Sequence, residues 1–193
     1  MTKSTAQTIV DAALETLRAD GFAGASSRAI ARRGGVNQAL VFYHHGSLDA
    51  LLLAALDRTS DERLERYQEV LAKVRTVDEL ARGAAELYAE DRESGHLTIV
   101  SQMVAGSLAR PELAPRVLER MQPWLDFAEA TITRVLDPTG LLKVVPAREL
   151  AYAAVTFYLG VNLLANLDPK GGELDALFAR GAELAPLFAS VFS

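Results

Sequence analysis

The 193-residue chain predicts an all-α fold of about nine helices. Apolar residues recur at three- and four-residue spacing nearly throughout, Gly and Pro fall between such segments, and no stretch alternates as a half-buried strand would. Half of the residues are hydrophobic and 23% are charged, enough for a sizeable core in one large domain or two small ones. That composition excludes a disordered tail, a collagen-like repeat and a disulfide-stapled module. The lack of cysteine also excludes Cys-liganded zinc, iron–sulfur clusters and thiol nucleophiles.

The first helix is read from Ile9, Val10, Ala13, Leu14 and Leu17, and Asp20-Gly21 is its stop signal. Ser26 or Ser27 caps a short second helix that ends at Gly34-Gly35. Asn37 caps a third, from Gln38 to His45, which Gly46-Ser47 breaks. Ser47 caps a fourth helix that starts at Leu48, carries Asp49 in its first turn and runs to about Val74. A fifth starts at Thr76 or Asp78 and extends to about Glu93, and Gly95 separates it from a mostly uncharged sixth over 97–109. Pro111 and Pro115 lead into a seventh over 115–136, and the turn Asp137-Pro138-Thr139-Gly140 follows it. Pro146 opens an eighth to about Leu167, Asp168–Gly172 is a loop, and a ninth runs from Glu173 to the C-terminus.

Residues 150–167 carry no charge. With Thr156, Gly160, Asn162 and Asn166 inside and prolines flanking it, this segment reads as a helix buried on most sides, either centrally or against a partner chain, and not as a membrane span. The ninth helix bears a wide apolar stripe, Leu174, Leu177, Phe178, Leu184, Leu187, Phe188, Val191 and Phe192, which a second copy of the chain would cover. A homodimer through helices 8 and 9 is therefore expected. The polar start MTKSTAQ carries no signal peptide, so a cytoplasmic location is expected.

The net charge of −5 is unevenly spread. Residues 1–46 hold five basic and three acidic side chains, a net +2, which leaves −7 for the remainder. No acidic residue lies between Gly21 and Leu48. A basic N-terminal quarter on an acidic body suggests an anion-facing module.

Ser26–Leu52 is the most informative stretch: a short helix, a tight Gly turn and a second short helix with polar and aromatic groups. That is helix-turn-helix spacing. The first of these helices can brace against a DNA backbone, its N-terminal N–H groups on a phosphate. Gly35 supplies the turn's positive φ. Val36 and Val41 would hold the second against Ile9, Leu17, Phe22 and Ile30, leaving Gln38, Ala39 and Tyr43 to enter a major groove about 12 Å wide.

The run Ser26-Ser27-Arg28-Ala29-Ile30-Ala31-Arg32-Arg33-Gly34-Gly35-Val36-Asn37-Gln38-Ala39-Leu40-Val41-Phe42-Tyr43-His44-His45-Gly46-Ser47-Leu48-Asp49-Ala50-Leu51 resembles, without a gap, the helix-turn-helix motif of the TetR/AcrR family of transcriptional regulators. With the first helix the resemblance covers about residues 6–56. It implies that Ser26, Ser27, Tyr43 and His44 touch phosphates, and that Arg28, Gln38 and Ala39 lie at base edges. Asn37 is a further candidate DNA contact, and Leu40 would meet a thymine methyl or the rim of the groove. Three positions depart from the family pattern. Phe42 stands where Tyr is usual, Leu48 where a phosphate-binding Lys is usual, and His45 where a buried Phe is usual. Neighbouring His44 and His45 point about 100° apart on a helix and lack companion ligands, so His45 reads as a core or rim residue and no metal or other cofactor is expected.

The resemblance further implies a division into a DNA-binding domain, 1–47, and a regulatory, ligand-binding and dimerisation domain, 48–193. Candidate effector contacts are Tyr88, His96, Ile99, Met103, Trp124, Phe127, Tyr152 and Phe157, with Gln102, Thr156 and Asn162 as orienting polar groups. This set suits an apolar or aromatic small molecule better than a sugar or a metal ion. The expected function is a ligand-responsive regulator on a palindromic double-stranded operator, a repressor released by its effector. The alternative is a helical adaptor or ligand-binding protein with weakened DNA binding, which the Phe42 and Leu48 departures keep open. An enzyme is not expected, because the chain has no nucleophile motif, no His-x-x-Glu pair and no Gly-rich phosphate loop.

Overall fold

The computed structural model describes residues 3–167, together with Ala176 and Arg180. Among the described residues there are eight α-helices and no strand. They are α1 (Thr5–Gly24), α2 (Ser27–Arg33), α3 (Gln38–His45), α4 (Leu48–Leu71), α5 (Val77–Ser94), α6 (His96–Ala109), α7 (Ala114–Leu136) and α8 (Ala147–Leu167). Short 3-10 turns at Pro111–Leu113, Asp137–Thr139 and Leu141–Lys143 flank α7. The expected ninth helix, with its apolar stripe, lies outside the described residues. No single helix among the described residues is long and apolar enough to cross a membrane.

Local chemistry sets most boundaries. A capping box starts α1: Ser4 Oγ accepts from the Gln7 N–H, and Gln7 Oε1 accepts from the Ser4 N–H. The same reciprocal pair, Thr76 with Glu79, starts α5. At Gly21 the backbone leaves helical geometry (φ 69°, ψ −178°), and one further turn carries α1 on to Gly24. α4 ends at Leu71, short of the expected Val74. The Val74 N–H turns back onto the Leu71 carbonyl, and the Arg134 guanidinium donates to the carbonyls of Leu71 (2.7 Å) and Val74 (3.2 Å). A cation at a helix C-terminus adds a charge-assisted bond to the carbonyls that end the helix.

The chain forms two compact units, neither one continuous stretch: Met1–Arg63 with Gly95–Arg120, and Leu64–Ser94 with Met121–Ser193. In the first, Ile9, Leu17, Ile30, Leu51, Leu52, Ile99, Met103 and Leu113 are fully buried. Each such side chain contributes about 1.5–3 kcal/mol relative to exposure. α6 belongs to this unit because it receives the turn at the end of α1. Gln102 Oε1 accepts from the Phe22 N–H at 2.9 Å, and Gly106 lies so close to the Phe22 ring that a Cβ would sit 2.3 Å from it. Arg110 covers the ring at 5.2 Å and pairs with Asp49.

In the second unit Leu71, Val74, Leu87 and Val135 form a core, with Tyr67, Val70, Leu80 and Phe127 against it. Arg66 joins α4 to α5 through Glu90 (2.7 Å). Arg148 joins α8 to α7 through Asp126 and Glu129.

Candidate functional site

Each short helix of the N-terminal unit is capped by its own sequence. Ser26 Oγ accepts from the Ala29 N–H (3.2 Å), which settles which serine caps α2. Asn37 Oδ1 accepts from the Ala39 N–H (2.9 Å), and Ser47 Oγ from the Ala50 N–H (3.1 Å). The turn from α2 to α3 passes through Gly35 at φ 64°, open to left-handed backbone without strain, and the Val36 N–H closes it onto the Ala31 carbonyl. Val41 is fully buried and anchors α3 to the same core that holds Ile30.

Anchoring through Val41 turns the rest of α3 outward. Asn37, Gln38, Ala39, Tyr43 and His44 are exposed, and Leu40 is half-buried. The Tyr43 and His44 rings meet edge to face, centroids 5.0 Å apart. On α2 Ser26 and Arg28 are exposed and Ser27 is half-buried, its Oγ accepting from Gln38 Nε2 at 2.8 Å. The basic groups separate by partner. Arg33 is committed to Asp20 on α1 (2.7 Å), whereas Arg28 and Arg32 are exposed and make no ion pair among the described residues. The face therefore offers cationic, amide, hydroxyl and apolar groups within two adjacent short helices, and no carboxylate lies between Gly21 and Leu48 to repel an anion.

The same unit holds His96, 3% exposed at the start of α6, its Nδ1 3.0 Å from the Thr59 hydroxyl. Burial, reinforced by the positive charges of Arg63 and Arg18, lowers its pKa to about 3, so the ring is neutral. His45 is half-buried, and desolvation lowers its pKa too. Among the described residues no group of three or more His, Asp or Glu is placed to hold a metal ion.

The second unit contains a separate polar and aromatic cluster. The carboxylate of Asp91, 1% exposed, accepts from the Tyr67 hydroxyl (2.6 Å) and from the Tyr158 hydroxyl. Tyr67 packs edge-on against Trp124 (5.1 Å), Phe127 (6.3 Å) and Tyr158 (6.4 Å), and Tyr158 against Tyr88 (6.1 Å). Burial, with Tyr67 and Asp91 alongside, pushes the Tyr158 phenol far above its ordinary value and keeps its proton in place.

Residues 9–55 match the model of bacterial regulatory proteins of the tetR family. The transcriptional regulator UidR of Escherichia coli strain K12 is 22% identical over 174 residues, spanning 90% of this chain and 86% of UidR. This chain is similar to TetR-family transcriptional regulators over its N-terminal quarter. Its fold is shared by a fatty acid degradation regulator, FadR, from Bacillus halodurans (TM-score 0.78, 14% identity, 96% of each chain). It is shared too by FadR from Bacillus subtilis in complex with stearoyl-CoA (TM-score 0.76, 18% identity, 93% and 96% of the two chains). The multidrug binding protein EbrR, complexed with imidazole, has a TM-score of 0.65 and 25% identity over 96% and 97% of the two chains.

The three positions that depart from the TetR-family pattern have distinct surroundings. Phe42 is 46% exposed on the outer face of α3, Leu48 is half-buried at the start of α4, and His45 lies at the rim of the core. The residues expected to meet an effector fall in different units. His96, Ile99, Gln102 and Met103 belong to the first, where Ile99 and Met103 are fully buried and His96 and Gln102 bond to Thr59 and to the backbone of Phe22. Tyr88, Trp124 and Phe127 belong to the aromatic cluster of the second, Asn162 is buried there, and Tyr152, Thr156 and Phe157 lie exposed on α8. Tyr67, Asp91 and Tyr158 escaped the sequence reading. Tyr67 and Asp91 sit in highly charged helical stretches that read as solvated faces, so only their convergence in space marks them.

Proposed function

We propose that this regulator binds a palindromic DNA operator as a homodimer and leaves it when an apolar or aromatic small molecule binds its second unit, so that it represses transcription until the effector arrives. The observation that carries the DNA half is the outward face of α3 beside Arg28: a recognition helix anchored by Val41 and free of carboxylates. Residues 1–47 make the DNA contacts, and 48–193 hold the regulatory and dimerising parts. Ser26, Ser27, Tyr43 and His44 meet phosphates, and Arg28, Gln38, Ala39 and Leu40 meet base edges, with Asn37 at the mouth of the groove.

Effector contacts come from Tyr88, Trp124 and Phe127, joined by Tyr67 and Tyr158. Their rings offer apolar surface, and Asp91 with the two phenols supplies orientation. The bound stearoyl-CoA of one structural neighbour and the multidrug binding of another support an apolar effector. A dimer interface is supported by the apolar side chains that α8 exposes, Tyr152, Phe157, Leu163 and Leu164. We read the protein as a cytoplasmic, non-enzymatic regulator. A thermal-shift screen with apolar metabolites, repeated in the presence of operator, tests the proposal: a ligand at 100 times its Kd stabilises the protein by about 2.7 kcal/mol. A ligand that stabilises the protein and leaves operator affinity unchanged contradicts it, because coupling between two sites is reciprocal.

A further inference from the structure

We propose that Ser27 is a positioning residue for base reading: its hydroxyl orients the Gln38 amide so that sequence discrimination by α3 depends on a residue of α2. This rests on the reading that Gln38 meets a base edge. The observation is the 2.8 Å hydrogen bond from Gln38 Nε2 to Ser27 Oγ, made between an exposed and a half-buried side chain at the first residues of the two helices. Ser26, not Ser27, caps α2, so the Ser27 hydroxyl is released from capping.

A glutamine side chain turns about three bonds, and its amide can present oxygen or nitrogen to either side. Unrestrained, it would lose that freedom on binding and could accept or donate indifferently. With one N–H given to Ser27 Oγ, the amide plane is fixed at one edge. The other N–H and Oε1 remain together as a donor–acceptor pair, the pattern that matches N7 and N6 of adenine. The Ser27 hydroxyl has a single proton. When that proton goes to a phosphate oxygen, only lone pairs face Gln38, which forces the amide nitrogen toward Ser27 and the oxygen toward the base. A hydroxyl that donates to an anion is also a better acceptor, so backbone contact and base reading strengthen one another.

The test uses a duplex that the wild-type protein selects from a randomised DNA library, and all single-base-pair variants of that duplex. Gln38→Ala is expected to flatten discrimination at one position of each half-site. Ser27→Ala is expected to lower discrimination at that same position by roughly 3- to 10-fold, the size of one hydrogen bond, and Ser27→Thr, which keeps the hydroxyl, to restore it. In the Gln38→Ala background, Ser27→Ala should change that position no further. If Ser27→Ala weakens every duplex by one common factor while Gln38→Ala still flattens a position, Ser27 only holds phosphate and the inference fails alone. If Gln38→Ala flattens no position, the base-reading assignment of Gln38 fails with it.

Discussion

Tyr43 and Gln38 share α3 and are both exposed, yet they should behave differently on substitution. Gln38→Ala should cost about 1–3 kcal/mol at one base position and little elsewhere. Tyr43→Ala should weaken all operators alike, because phosphate contacts carry no sequence information. Binding titrations against the variant duplexes separate the two patterns. His96 gives a pH prediction. Its pKa is about 6.5 in an unfolded chain and about 3 in the folded one, so between these values the unfolded state binds more protons. Stability is therefore complete above about pH 6.5 and is lost as pH falls toward 3. Urea unfolding across this range should show a shallower decline for His96→Gln than for the wild type. Parallel declines would mean that the ring titrates normally. The sequence marks His96 as notable but not its partners, since Thr59 and Arg18 reach it from distant parts of the chain.

The helices themselves were legible because their ends are local chemistry. Asn37 and Ser47 cap where the sequence places them, Thr76 is the one of two candidates that caps α5, and Gly35 and Gly95 turn where glycine is needed. The end of α4 was not legible, because Arg134 arrives from 60 residues away to hold the Val74 carbonyl. Replacing Asn37 by Ala should cost about 1 kcal/mol of stability by removing the cap on the Ala39 N–H, measured by denaturant unfolding. At the start of α4, Leu48→Lys restores the cation that the family pattern has there. It should tighten binding to every duplex and steepen the dependence of affinity on salt, which counts neutralised phosphates. An unchanged salt slope would show that this end of α4 stays away from the DNA backbone. The Phe22 turn seated on α6 is equally invisible in sequence, for it depends on Gly106 leaving room for a ring.

At the scale of the whole molecule, the all-α class and the likeness to TetR-family regulators followed from periodicity and from one ungapped motif. The effector-contact candidates did not resolve so well. Apolar and aromatic residues at helical spacing look alike whether they fill a core or face a ligand, so Ile99 and Met103 were indistinguishable from Trp124 and Phe127. Assembly is open to test through α8. Phe157→Asp, on its exposed apolar face, should convert a dimer into monomers by light scattering at micromolar concentration, and a monomeric wild type would remove the two-fold symmetry from the proposal. The central claim, that α3 reads DNA for this regulator, is tested most directly by selecting duplexes from a randomised library with the wild-type protein and measuring their affinity against salt. The expected result is a palindrome whose half-sites lie about 34–36 Å apart, with affinity that falls steeply as salt rises. Enrichment of no sequence at low salt would contradict the claim and leave the chain a helical adaptor.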